Sequence, residues 1–240
     1  MAGFRGVYPA LITPMTAGGE LNEAALREVI EFNIQAGVHG FWVAGGTGES
    51  VLLEDEENMR IAEIASDQSR GRIENIMHVG AATTARAVKL AEHAAKSGVE
   101  AICCVPPFFY RQSDEAIVEH YKAVGAAANL PLFVYNLPQA TGVEITPEMM
   151  QKIQDGVPQL KGLKHSAVTF SNVRAFSNMG LQCLVGNAML MLPALTIGAS
   201  GCVDGPPNVA PELWVEIWNA YNDGDIHRAE AAQEKASQVT

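Results

Sequence analysis

Positive charge is scarce in this chain, cysteine is sparse, and no apolar run approaches the width of a bilayer. Lys and Arg number 16 against 27 Asp and Glu, a formal net charge of -11 at neutral pH. Such a surface repels polyanions, and no basic run is interleaved with aromatics, so a nucleic-acid partner is not expected. The longest apolar stretches, such as residues 101–105, have the length of a strand, far below the roughly 20 residues of a membrane helix. Residues 1–5 lack the apolar core of a secretory signal. Cys103, Cys104, Cys183 and Cys202 lie inside apolar segments, and neighbours on a strand face opposite ways, so no disulfide framework is expected. The six histidines and the carboxylates form no ligand-like spacing, so neither a metal nor a cofactor is expected. The expectation is a reduced, cytoplasmic protein with a core large enough for one α/β domain.

What the chain does have is one repeating pattern. Short apolar runs alternate with helical stretches, and glycine commonly marks the return from helix to strand. Strands are expected at residues 7–12, 39–44, 75–79, 101–105, 132–135, 162–164, 183–185 and 201–203. Between them the helical signals are explicit. Asn22 opens a helix through Gln35, and Gly98 closes another over residues 83–97. Ser113 or Asp114 caps a third running to Ala128. Thr146-Pro147-Glu148 supplies a cap, a first-turn proline and a first-turn acid. The joints Ala36-Gly37-Val38, Ser97-Gly98-Val99 and Ala199-Ser200-Gly201 recur at equivalent places. Eight evenly spaced strands predict a parallel (β/α)8 TIM barrel, and no Gly-x-Gly-x-x-Gly follows a strand to support a dinucleotide fold.

Barrel chemistry gathers at the C-terminal ends of strands. Four segments qualify: Gly45-Gly46-Thr47-Gly48-Glu49, Pro106-Pro107-Phe108-Phe109-Tyr110, Tyr135-Asn136-Leu137-Pro138 and Gly162-Leu163-Lys164-His165-Ser166. The glycine-rich turn frees backbone N–H groups to face an anion, with the Thr47 hydroxyl beside them. Phe109 and Tyr110 form an aromatic lip. Lys164 reads either as an amine made nucleophilic by a dry setting, with Tyr135 as proton carrier, or as a surface lysine beside a core tyrosine. His165 should point away from Lys164 along the strand. His78 reads as a core histidine, Glu49 as a loop-orienting acid, Trp214 and Trp218 as core or subunit contact, and Met149 and Met150 as helix packing.

With those residues the chain resembles the dihydrodipicolinate synthase / N-acetylneuraminate lyase family. The likeness runs from Ala10-Leu11-Ile12-Thr13-Pro14 through the Gly45–Glu49 turn and Tyr135-Asn136-x-Pro138 to Gly162-x-Lys164 and Gly198-Ala199-x-Gly201. The resemblance implies that Lys164 condenses with the keto group of pyruvate or a related 2-oxo acid and that Tyr135 moves protons. It further implies that Thr47 and the N–H groups of Gly46 and Thr47 hold the carboxylate, and that the Val203 backbone lines the same pocket. A homo-oligomer, often a tetramer of two tight dimers, is implied in the same way, with Phe109 near a subunit boundary.

Departures from the family narrow the expectation. Gly46 and Phe109 stand where the dihydrodipicolinate-forming members carry two members of a hydroxyl relay, and Ala140 stands where they carry a carboxylate-gripping arginine. Ser166 matches a hydroxyl of the sialic-acid lyases, whereas Gly186-Asn187-Ala188-Met189 replaces their acidic pair. The leading expectation is an N-acetylneuraminate lyase-like aldolase joining or splitting pyruvate and an aldehyde, with Ala140, Gly186, Ala188, Met189 and Phe109 around the pocket. Alternatives are 4-hydroxy-tetrahydrodipicolinate synthase, a dehydratase of the 5-keto-4-deoxyglucarate type, and a catalytically silent barrel that binds a 2-oxo acid. The barrel is expected over residues 1–223, and residues 224–240 are expected to begin a C-terminal helical extension that stops early.

Overall fold

The computed structural model describes residues 3–239. Eight strands are present among the described residues: β1 (Gly6–Pro9), β2 (Gly40–Val43), β3 (Glu74–His78), β4 (Ala101–Cys104), β5 (Leu132–Asn136), β6 (Leu160–His165), β7 (Gln182–Val185) and β8 (Gly201–Asp204). They pair in parallel in the order β1-β8-β7-β6-β5-β4-β3-β2. A parallel bridge from Ala10 to Trp42, with the His39 N–H donating to the Val7 carbonyl, joins β1 to β2 and closes the (β/α)8 barrel. The first strand is shorter than the sequence suggests. Pro9 lacks an N–H, and beyond the Ala10 bridge residues 11–14 adopt no regular structure.

The helices are α1 (Glu23–Gln35), α2 (Asp55–Ser69), α3 (Thr84–Ser97), α4 (Asp114–Ala128), α5 (Pro138–Thr141), α6 (Pro147–Gly156), α7 (Asn172–Asn178), α8 (Met191–Thr196), α9 (Pro211–Asn222) and α10 (Ile226–Ser237). Their starts follow the predicted caps. The side chains of Asn22, Thr83, Ser113 and Thr146 accept from the N–H groups of Ala25, Arg86, Ala116 and Met149, each satisfying a donor the helix leaves free. Gly98 closes α3 in the left-handed region (φ 87), whereas Asn129 does this for α4 (φ 50). No helix among the described residues is long and apolar enough to cross a membrane.

Two apolar layers result from the period-two alternation of parallel strands covered on both faces. Tyr8, Trp42, Ile76, Cys103, Phe133, Tyr135, Leu184 and Val203 fill the barrel interior. Val7, Phe41, Val43, Met77, Val134, Leu163 and Val185 face the helices. All four cysteines are free and buried. The last helix, α10, lies against α9 and α8, and Gln233 on it accepts from the Leu192 N–H at 2.9 Å and donates to the Ala188 carbonyl at 3.3 Å.

Candidate active site

Strand β6 sets the centre of the site. Gly162 and Lys164 share its inward face, and Ser166 follows two residues on. Gly162 is required there, since a Cβ would overlap the Gln182 carbonyl oxygen of β7 and come within 2.8 Å of the Phe133 ring. Leu163 and His165 face outward. His165 Nε2 lies 3.1 Å from the Thr169 carbonyl, which makes it the donor, and leaves Nδ1 to accept from the Asn136 amide at 3.3 Å. The sequence reading that turned His165 away from the lysine matches this geometry.

Lys164 is 4% exposed, with its ammonium 4.5 Å from the Tyr135 ring centroid and 5.5 Å from that of Trp42. Burial disfavours the charged amine and outweighs the attraction of the Asp204 carboxylate, so its pKa falls from 10.5 to about 8. The Cys103 and Cys202 thiols nearby are pushed well up by their own burial and are neutral at pH 7. Asp204 is therefore the charge that Lys164 feels. Tyr135 packs edge-on against Trp42 (5.4 Å) and His78 (6.0 Å), and burial raises its phenol well above the usual range. At neutral pH it is a proton donor. The following Asn136 is turned outward, where its amide donates to the Ile145 carbonyl and accepts the Ile145 N–H, pinning the loop after β5.

The glycine-rich turn after β2 crowds the same centre. A Cβ on Gly45 would come within 2.7 Å of the Trp42 indole, and one on Gly46 would meet only the Tyr135 hydroxyl, at 3.4 Å. Gly48 is hemmed in by the Leu11 carbonyl, and the Thr13 hydroxyl donates to the Gly48 carbonyl at 2.7 Å. Thr47 reaches across the mouth: a Cβ on Gly205 would lie 3.6–3.7 Å from its side chain. Glu49 adopts a left-handed backbone (φ 58) at the end of the turn. His78 accepts from or donates to the Ser50 hydroxyl (3.1 Å), is held near pKa 4 by burial, and leaves Nε2 without a partner among the described residues.

Two cavities flank this centre. One of about 150 Å³ is apolar, between Gly46, His78, Val105, Phe108, Tyr135 and Leu137, and Ala140 lies on its rim. The other, of about 440 Å³, is lined by Gln139, Ser166, Gly186, Asn187, Leu190 and Asp204, among others. Gly186 is the shared wall between this cavity and the lysine. A Cβ there would overlap the Ser166 hydroxyl and stand 3.1 Å from Lys164 Cε.

The remaining pocket expectations divide. Val203 is buried in the barrel interior beside the site. Ala188 does not present its methyl group to either cavity. It is fully buried in the outer layer because its backbone is consumed by three bonds, from its N–H to Asp204 and to its carbonyl from Trp214 and Gln233. Met189 is 48% exposed and also lies outside both cavities. Phe109 (83% exposed, φ 81) and Tyr110 (72%) stack edge-on at 5.0 Å above an outer groove shared with Ala140. Trp42 and Asp204 were not anticipated from sequence. Trp42 was legible as an inward position of β2, and Asp204 as the residue ending β8. Among the described residues no group of three or more His, Cys, Asp or Glu is placed to hold a metal ion.

The dihydrodipicolinate synthetase family model matches residues 3–240. The chain is 33% identical over 231 residues to the 4-hydroxy-tetrahydrodipicolinate synthase of Methanothrix thermoacetophila, covering 95% of this chain and 77% of that one. Among solved structures it superposes on YagE, a prophage protein of the dihydrodipicolinic acid synthase family from E. coli K12 in complex with pyruvate (TM-score 0.95, 26% identity, 98% of this chain and 81% of that one). It also superposes on a catalytic lysine mutant of the Ruminococcus gnavus sialic acid aldolase (TM-score 0.93, 25% identity, 99% and 79%).

Proposed function

The chain belongs to the dihydrodipicolinate synthetase family, a family of Schiff-base carbon–carbon lyases, and from that premise we propose that it joins or splits pyruvate and an aldehyde through Lys164. The observation that carries this reading is a lysine buried against two aromatic rings with its pKa drawn down to about 8. The unprotonated Nζ attacks C2 of pyruvate to give a carbinolamine. Tyr135 donates the proton with which the C2 hydroxyl leaves as water, forming the iminium. The Thr47 hydroxyl and the N–H groups of Gly46 and Thr47 hold the pyruvate carboxylate. Loss of a C3 proton yields the enamine, whose C3 bonds to the aldehyde carbon while that carbonyl oxygen takes up a proton. Water then releases a 4-hydroxy-2-oxo acid and returns the amine, and cleavage is the same path reversed.

Trapping with borohydride tests the chemistry. Pyruvate plus borohydride is expected to add one reduced adduct, mapped to Lys164, with a yield at short times that climbs as pH rises through about 8. An unmodified Lys164 peptide from folded protein would discard the Schiff-base reading.

Two finer readings compete for the partner. The name of the Methanothrix relative favours 4-hydroxy-tetrahydrodipicolinate synthase over an N-acetylneuraminate lyase-like activity. Against it stand Ala140, with no guanidinium for a semialdehyde carboxylate, and Gly46 and Phe109, with no hydroxyl for a proton relay. The side chains at the site thus favour an aldolase acting on a different aldehyde. We also propose a homo-oligomer, supported by the exposed Phe109–Tyr110 pair beside the mouth. Light scattering is expected to report a dimer or tetramer that Phe109→Asp weakens; a monomeric parent chain would count against it.

A further inference from the structure

Among the described residues, Asp204 is the one carboxylate that lines the 440 Å³ cavity behind Gly186. Its position is fixed, because Oδ2 accepts from the Ala188 N–H at 2.7 Å and Oδ1 from the Gly205 N–H at 2.8 Å. Each oxygen keeps a second acceptor site. Around it stand the neutral polar side chains of Gln139, Ser166 and Asn187, with His165, whose Nε2 donates to the Thr169 carbonyl, whose Nδ1 accepts from Asn136, and whose burial favours the neutral ring. Among the described residues neither a lysine nor an arginine lines the cavity. Asn187 is anchored too, accepting from the Met189 N–H at 3.1 Å. Gly186, which lines the cavity, would place a Cβ 3.1 Å from Lys164 Cε, so only a bare glycine backbone stands between a molecule seated there and a group attached to the lysine.

We infer that this cavity seats the aldehyde, and that Asp204 makes it a site for an uncharged, hydroxyl-bearing aldehyde and closes it to one that carries a carboxylate. The inference rests on the Schiff-base reading above. Hydroxyl groups donate to Asp204, a charge-assisted bond stronger than one to a neutral acceptor. A second carboxylate in the same cavity meets like charge with no cation to pair it. Lys164, the nearest cation, is neutral once it is an enamine, and the bound pyruvate adds a negative charge of its own. Selection therefore works by repulsion as well as attraction.

Asp204 also anchors the β7 loop through Ala188, so its structural and selective roles must be separated. Asp204→Asn keeps the shape and one acceptor while removing the charge. Asn187→Asp adds a charge to the same cavity, retains the acceptor for the Met189 N–H, and leaves the Asp204 bonds intact. For the parent and both variants, the borohydride-trapped pyruvate adduct is measured first. kcat/KM is then measured for condensation of pyruvate with glyceraldehyde and with succinic semialdehyde. The parent is expected to prefer glyceraldehyde by at least about tenfold. Asp204→Asn should narrow that ratio about tenfold and Asn187→Asp should widen it; because both aldehydes meet the same lysine adduct, any change in adduct formation that follows from removing the Asp204 charge cancels in the ratio. A parent that uses the anionic aldehyde as well as the neutral one, or a ratio that Asn187→Asp leaves unchanged, overturns the inference and leaves the Schiff base standing. Failure of the parent to form any adduct removes both.

Discussion

Lys164→Met is expected to abolish turnover and at the same time stabilise the fold. Loss of the amine removes the covalent path, and kcat/KM should fall by at least about a thousandfold, roughly 4 kcal/mol of transition-state stabilisation. The gain in stability has a separate cause. In the unfolded chain this amine titrates near 10.5, whereas burial in the barrel brings it to about 8. Between those values the unfolded chain holds a proton that the folded one has released, so stability rises with pH across that window. Below pH 8 the full penalty applies, about 3 kcal/mol for a shift of this size. Methionine has a similar length, no charge, and suits contact with the Trp42 and Tyr135 rings. Thermal melts at pH 7 should therefore place the variant about 5 °C or more above the parent, with the gap closing toward pH 10.5. A variant that melts at or below the parent at pH 7 would contradict the assignment of Lys164 as a desolvated amine.

Gly162→Ala should produce a large loss of stability. The added carbon would run into the Gln182 carbonyl of the adjacent strand, a backbone atom held in the β6–β7 ladder, and into the Phe133 ring. Neither has room to retreat in a packed barrel interior. A cost of more than about 3 kcal/mol follows, with a drop in Tm of about 10 °C. Gly46→Ala is the internal comparison, since its Cβ meets only the Tyr135 hydroxyl at ordinary contact distance. Equal Tm shifts in the two variants would show that loss of glycine as such, and not the collision across β6 and β7, sets the cost.

The barrel was legible because period and punctuation agree along the chain: apolar strand-length runs, capped helices, and glycine at helix-to-strand joints. The four strand-end segments followed from that frame alone, and Lys164 and Tyr135 do meet, at 4.5 Å. What sequence did not convey was depth. Trp42 is one apolar residue among several in β2, and its place under the lysine depends on Gly45 clearing space for the indole. Asp204 is one acid among 27, and only its convergence with the β7 loop distinguishes it. Ala188 sits in a segment that reads as pocket wall, yet its hydrogen bonds turn it into the outer layer. Spacing fixes which side of a strand a residue faces; it does not specify how loops from different strands converge.

The alternation along β6 also bears on how such a protein changes over time. Gly162, Lys164 and, just past the strand, Ser166 are committed to the barrel axis, while Leu163 and His165 are held by the outer shell, so each position from Gly162 on is engaged. A single-residue insertion there would exchange the two sets and lose both the amine and the packing. Innovation is thereby channelled to the loop hung from β7, where the Asn187 side chain is held, among the described residues, only through the Met189 N–H and can be exchanged at a distance from the nucleophile. Inheritance of the reaction and drift in its substrates are thus assigned to different parts of one small barrel.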